Sequence, residues 1–408
     1  MGFLDRVFAK KKVSRREFVE IVSEAFRESG IANLEFRESE FALKIPGKDS
    51  TVFLHNSYSS FCAATKKERA AIVTRLVASF TSIPEIPKSF AAAKPNLMPV
   101  VRDAAYYSLS RLLTRKHKSD DTELEWQSAK FANGLVLGLA YDTEHSITSI
   151  NQKQLTEWGV ELKEAFGAAK DNLWEKTDPS KMVGQGGVYV AQWHDSYDSS
   201  RMMLTELIYR LQVDGDPVAF VPNRDAFWVT GKDNLPGLRT IMNVGSESHF
   251  NLGHSLSPDL YVLVDGKWEL YIPQDAELKA QWLATRRRRD YLDYDQQKKL
   301  LDQIHEQTGE DYFVASFNVL ERKDKHKTQW SVCVWTKDVD SSLPKADAIG
   351  FVVDDENRDM FVVPWQKAVA VVGGLMQEET DLVPVRYRVR KFPAAEQVKH
   401  LRAIGMRM

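Results

Sequence analysis

Apolar residues recur at helical spacing between Ser14 and Gly30, where Phe18, Ile21, Val22, Ala25 and Phe26 form a single stripe. Ser14 and Glu17 have the spacing of a capping box and Gly30 supplies a stop, so this segment is predicted to be a helix. Two alternating runs, residues 40–45 and 51–55, flank Pro46-Gly47 and predict a hairpin. Thr65 and Glu68 open a second capped helix bearing Ile72, Val73, Leu76 and Phe80, closed by Pro84 and Pro87. The pattern is less regular from 87 to 121, with an apolar run at 97–101 and a charged, exposed loop at 115–121. Residues 134–141 and 145–150 read as strands, and Asn151 begins a helix whose face carries Trp158, Leu162, Ala165, Phe166, Ala169 and Leu173.

The turn Gly184-Gln-Gly-Gly187 then feeds a strand, a polar turn and a helix start within eighteen residues. The helix carries Leu204, Leu207, Ile208 and Leu211, and strands at 217–221 and 226–230 flank the loop Pro222-Asn-Arg-Asp225. A helix over 235–244 completes this part. After residue 257 a second module is predicted, opening with a hairpin at 260–264 and 267–272 around Asp265-Gly266. A helical stretch over 275–307, broken near Asp293, precedes five candidate strands at 312–320, 329–336, 348–353, 360–363 and 383–389, with short helices at 365–376 and 394–403. The expected fold is α+β in two modules, 1–257 and 258–408, each a mixed or mainly antiparallel sheet with helices packed on it.

Composition changes this picture little. The 408 residues are 43% hydrophobic and 27% charged, ordinary for a globular chain. Lys plus Arg is 55 against 57 for Asp plus Glu, so no global field draws the protein to nucleic acid. Two cysteines, Cys62 and Cys333, make neither a disulfide framework nor a zinc pattern, and a reducing, cytoplasmic setting is expected. The longest apolar stretch, 368–376, is too short to span a bilayer. Residues 1–12 set Phe3, Leu4, Val7 and Phe8 beside a lysine cluster, which offers weak contact with an anionic membrane surface.

The densest polar chemistry lies in the turn after residue 193. Asp198 is placed to cap the following helix, and Arg201 in its first turn calls for a nearby carboxylate, Asp195 or Asp198, or for a bound anion. In the structural case these groups fix the turn. In the functional case the helix start, Ser200 and Arg201 face a phosphate or carboxylate, with Asp195, Tyr197, Asp198 and Asp225 around them. His194 beside Asp195 points to the opposite face of an extended chain, which disfavours a relay. His249 and His254, five apart, fit no metal spacing, and neither metal nor cofactor is expected. Arg286 to Arg289 point around a whole helical cylinder, as solvated or paired groups. Arg386, Arg388 and Arg390 share one strand face, a basic stripe answered either by Asp354, Asp355, Glu356 and Asp359 or by an acidic partner.

The run Asp195-x-Tyr197-Asp198-x-Ser200-Arg201, an amphipathic helix, and then Val221-Pro222-x-x-Asp225, with Pro99-Val-Val-Arg102 and Tyr141-Asp142 upstream, resembles the YtpQ family over residues 14–255. His194, Ser196 and Ser199 depart from that pattern. The resemblance implies a cytosolic bacterial protein of uncharacterised function and carries no reaction, substrate or cofactor. With no catalytic residues assigned, the leading expectation is a non-enzymatic adaptor that binds another protein. The alternatives are a ligand-binding or hydrolytic domain with an anion pocket at Asp195–Arg201, and nucleic-acid binding through Arg386, Arg388 and Arg390.

Overall fold

A computed structural model describes residues 13–45, 50–81, 85–116, 128–143, 146–251, 254–321, 329–354, 356 and 358–406. The N-terminal basic segment 1–12, the Pro46-Gly47 turn and the tip of the 115–121 loop lie outside the described residues. The protein is α+β, with five sheets among the described residues.

Helix Arg15–Glu28 begins at the predicted capping box, where Glu17 N donates to Ser14 Oγ at 3.2 Å and Ser14 N to Glu17 Oε2 at 2.7 Å. Phe18, Val22 and Phe26 are its buried residues, whereas Ile21 is 40% exposed, so the buried stripe is one i, i+4 row. It packs with helices His55–Ala63 and Lys66–Thr81 on the antiparallel sheet Glu35–Arg37, Ala42–Ile45 and Ser50–Phe53. A second sheet is centred on Leu97–Asp103 and Leu135–Asp142, with Ser128–Ala132 and Ile147–Ser149 at its margins. The helix predicted from Asn151 is two helices, Gln152–Trp158 and Leu162–Glu175, because Gly159 turns the chain at φ +67°.

The largest sheet is antiparallel throughout and orders its strands Lys267–Tyr271, Leu260–Val264, Pro217–Phe220, Trp228–Gly231, Val188–Ala191 and Met182–Gln185. The hairpin assigned from sequence to the start of the C-terminal module is therefore the far edge of this sheet. Its inner strand pairs Leu260 with Phe220 and Tyr261 with Ala219, burying both partners. Sequence periodicity identifies a hairpin but not the strand it will join.

The long helix Ala276–Thr308 is capped by Asp275 and runs unbroken through Asp293, contrary to the expected interruption. Leu278 and Trp282 lie against Val218, Phe220, Leu238 and Ile241, while Leu300, Leu301 and Ile304 meet Leu109, Leu112, Val314 and Leu382. Beyond it are two four-stranded sheets. One orders Asn318–Glu321, Gln329–Thr336, Ala348–Asp354 and Asp359–Pro364, and the other Phe313–Val314, Ser341–Pro344, Arg386–Val389 and Gln377–Glu379. Each contains one parallel pair, so both are mixed.

Helix Leu235–Asn251 crosses the large sheet closely at Gly245, where an added Cβ would stand 2.1 Å from Phe220 Cε1 and 2.7 Å from Trp228 Cζ3. The Phe220 ring is wholly buried, so it has no room to yield. Gly245→Ala should lower stability by about 1–3 kcal/mol through overpacking, despite the better helix propensity of alanine. An unchanged urea midpoint would show that the rings move aside.

Candidate functional site

The turn at 193–201 is built from within. His194 and Ser196 take positive φ, 54° and 72°, which folds the chain back so that Asp198 Oδ1 receives Trp193 N at 3.2 Å and His194 N at 3.4 Å. Asp198 thus closes the turn and does not cap the helix: it makes no side-chain bond to the helix start, a correction to the sequence expectation. The segment after it is a 3-10 turn, Ser199–Met203, then the one-turn helix Thr205–Ile208, too short for the macrodipole argument applied to Arg201.

Arg201 is wholly buried. It makes a bidentate pair with Asp195, Nη1 to Oδ1 at 2.9 Å and Nη2 to Oδ2 at 2.7 Å, and donates to Thr177 Oγ1 at 3.0 Å and to the Lys176 carbonyl at 3.3 Å. Its guanidinium lies 4.2 Å from the centroid of Trp193. Burial works to raise the Asp195 pKa, but the Arg201 bonds and charge outweigh it and hold the carboxyl below its ordinary value. Every side of Arg201 is thus occupied by the protein. Ser200 is likewise internal, its Oγ accepting from Val101 N at 3.2 Å. These two residues bond strand to turn, the structural of the two cases the sequence left open, and do not face an anion.

The surroundings of that turn are more informative. The Leu97–Asp103 strand, the end of Leu135–Asp142, the turn itself and the 221–225 loop are distant in sequence and meet here. Ser200 bonds Val101, Ser199 N donates to the Arg224 carbonyl at 3.1 Å, and Arg224 N donates to the His254 carbonyl at 3.0 Å. Tyr197 is 2% exposed and its hydroxyl faces the Asp142 carboxylate. Burial raises its pKa, as does the Asp142 carboxylate it faces, against the nearby charges of Arg102 and Arg224. Asp225, also expected at the site, pairs with Arg224 through two contacts, Nε to Oδ1 at 3.3 Å and Nη2 to Oδ2 at 3.4 Å.

Arg102 and Arg224 were not nominated as site residues. Arg224 is one of the unspecified positions in Val221-Pro222-x-x-Asp225, and Arg102 entered only as the last residue of the fragment Pro99-Val-Val-Arg102, in the strand Leu97–Asp103. Arg102 bonds the Val101 carbonyl at 3.0 Å and has no carboxylate in ion-pair reach among the described residues. Burial lowers its pKa, and the groups opposing that shift are the tyrosines 107, 106 and 197, while Arg224 reinforces it. His254 is held neutral, its pKa brought down to about 3 by burial and then by Arg224 and Arg102. His194 bonds Gln192 Oε1 at 3.1 Å and takes no part with Asp195.

A second polar cluster runs along the long helix. Arg289 joins Asp103 of the strand and Asp293 of its own helix, and its Nη1 is 3.4 Å from His249 Nε2. Arg286 pairs with Asp259 at 3.2 Å, and Asp259 also receives Asn133 Nδ2 at 2.9 Å and Trp282 Nε1 at 3.1 Å. Burial pushes Asp103 up to about 7 and Asp290 to about 6, against the lowering influence of the arginines. Arg287 pairs with Asp347 at 2.9 Å, and Arg288 covers the Phe250 ring at 3.9 Å. The four arginines thus do point around the cylinder, and three bind separate acids. The sequence signal for this network was the Asp103-Ala-Ala spacing of a helix cap: Asp103 Oδ1 accepts from Ala105 N at 2.9 Å at the start of helix Ala104–Lys116.

The C-terminal basic stripe is not a surface of three arginines. Arg386 is wholly buried, bonded to Gln297, to the carbonyls of Ala315 and Ser342 at 3.0 and 3.1 Å, and to the Tyr294 carbonyl at 3.3 Å. Arg388 forms a bidentate pair with Asp340, an acid the sequence reading did not nominate, and stacks 3.3 Å from the Tyr312 centroid. Asp359 pairs with Arg402 instead. Arg390 remains at the surface with Gln377. Both faces of the strand are enclosed at Arg386 because it lies inside its sheet under the long helix, so the expected basic surface is reduced to Arg390.

An open groove of about 680 Å³ lies between helix Leu235–Asn251, the long helix and the strands at 319 and 329. Phe250, Tyr291, Ala284 and Val319 supply its apolar wall, with Arg288 and Glu247 among its polar groups. Among the described residues no group of three or more His, Cys, Asp or Glu is arranged to hold a metal, and no helix is long and apolar enough to cross a membrane. No family model, no curated protein and no solved structure matches this chain.

Proposed function

We propose that the chain is a non-enzymatic protein whose groove at Phe250, Arg288 and Tyr291 takes an acidic, apolar segment of another protein. The observation that carries this reading is Arg288. It stacks on Phe250 and forms no ion pair among the described residues, although Arg286, Arg287 and Arg289 beside it all do. A cation over an aromatic floor, with Tyr291 45% exposed next to it, favours a carboxylate adjoining an apolar side chain. Asn318–Glu321 is the outer strand of its sheet, which suits an extended occupant.

The four fragments that meet around Tyr197 are those on which the likeness to the YtpQ family rests, and membership of that family and a cytosolic setting are proposed on the same ground. Arg288→Glu and Ala284→Trp test the groove, one by charge and one by filling it. A partner that copurifies from the native host and crosslinks to a photoreactive residue at position 329 of the same groove should be lost by at least ten-fold in both variants, with unchanged melting. Full retention in both would overturn the reading.

A further inference from the structure

We propose, resting on the reading of the groove above, that its occupant binds as an added β-strand along Asn318–Glu321 and turns one acidic and one basic side chain into the groove. The state of the strand edge points to this mode. Asn318–Glu321 pairs through all four residues with Gln329–Thr336 and with no other strand. Among the described residues none of its backbone groups bonds outside that pair. Successive peptide groups of a strand point to opposite edges, so half of these face outward with no protein partner. The edge also lacks the proline or lysine that commonly guards an outer strand: its sequence is Asn-Val-Leu-Glu, and Leu320 is 43% exposed.

The register sets the groove on one face of this strand. Val319 stands opposite Ser331 and Glu321 opposite Gln329, so Val319 and Gln329 are diagonal neighbours on the same face. Both residues line the groove. A strand laid beside Asn318–Glu321, about 4.7–4.9 Å away, continues that face and turns every second side chain toward the two helices. Backbone bonds along the edge would hold the segment, and the groove would select its alternate side chains.

The charges of the groove define what those side chains are. Arg288, from the long helix, and Glu247, from helix Leu235–Asn251, both line it. Among the described residues neither forms an ion pair, with the other or with any third group, and Arg288 has only the Phe250 ring, at 3.9 Å. An occupant that answers both carries an acid facing the long helix and a base facing the shorter one. The two must lie at positions of the same parity to share a face, with apolar side chains between them for Phe250, Tyr291 and Val319.

The probe is a display library of random linear peptides selected on the full chain. An enriched peptide is then synthesised and N-methylated at one backbone position at a time. Enriched peptides should carry an acid and a base at positions of equal parity among apolar and β-branched residues. N-methylation should weaken binding about ten-fold at alternate positions and leave those between nearly unchanged, because only every second peptide N–H reaches the edge. Glu247→Arg should weaken the same peptide about ten-fold, and a peptide with an acid in place of its base should recover the loss. Binding lost in Arg288→Glu but with no period-two response to N-methylation would overturn strand addition and leave the groove reading standing. Equal binding by Arg288→Glu and Ala284→Trp would overturn the groove reading, and strand addition with it. Failure to enrich any peptide would overturn the proposal, and a chain that then sediments as a dimer would assign the edge to a second copy.

Discussion

Arg201→Met should destabilise the protein by about 3–5 kcal/mol, the range for breaking a buried, hydrogen-bonded ion pair. The arginine has four polar attachments and an aromatic face, and methionine reproduces only the apolar stem. Thr177 Oγ1 and the Lys176 carbonyl would lose a donor, and Asp195, 33% exposed at its side chain, would turn to water and release the 193–198 turn. Arg201→Lys should recover less than half of the loss, since an ammonium cannot hold both Asp195 oxygens and Thr177 together. Denaturant unfolding at pH 7 measures both. If Arg201 instead served a ligand, Arg201→Met would melt with the natural chain.

Arg289→Gln should cost a similar amount, about 3–5 kcal/mol above neutral pH, and distinctly less near pH 5. Glutamine leaves Asp103 and Asp293 buried without their cation. In the natural chain Asp103 sits at about 7, raised by burial. A carboxyl raised above its unfolded value contributes most below the unfolded pKa and loses that contribution as pH rises toward 7. Removing Arg289 removes the charge that opposes this rise, so the penalty grows at high pH and relaxes as the acids take protons. His249 acts in the same direction. Its pKa is lowered to about 4 by burial and then by Arg289, a penalty felt between pH 6.5 and 4 that the variant relieves. Arg286, Arg288, Asp259 and Asp290 remain nearby in both proteins. Unfolding curves at pH 5 and pH 8 decide, and a loss that is equal or larger at pH 5 would refute the account.

Local signals in the sequence were strong where the chemistry is local. The capping box at Ser14, the helix start at Asn151 and the hairpin at Asp265-Gly266 needed only neighbouring residues, and all three formed. The Asp195–Arg201 pair was legible for the same reason. Helix Ala104–Lys116 was not, because Tyr106 and Tyr107 place aromatic rings on two faces and blur the stripe. Alternation placed Arg386, Arg388 and Arg390 on one side of a strand, but period two does not say which side the rest of the chain will cover. Arg102 and Arg224 could not be joined in sequence, since only the turn between Tyr197 and Ser200 brings their strand and loop together.

The order of strands in the large sheet has a bearing on synthesis. The strand ending at Phe220 is synthesised first, and its neighbour on one side begins only at Leu260. Some 40 residues separate them, roughly two to eight seconds of translation at about 5–20 residues per second. For that interval an apolar strand has one unpaired edge, open to the corresponding strand of another nascent chain. The helix Leu235–Asn251 is made within the gap and lies across the same strands, so it can shield their face, though not that edge, until the hairpin arrives.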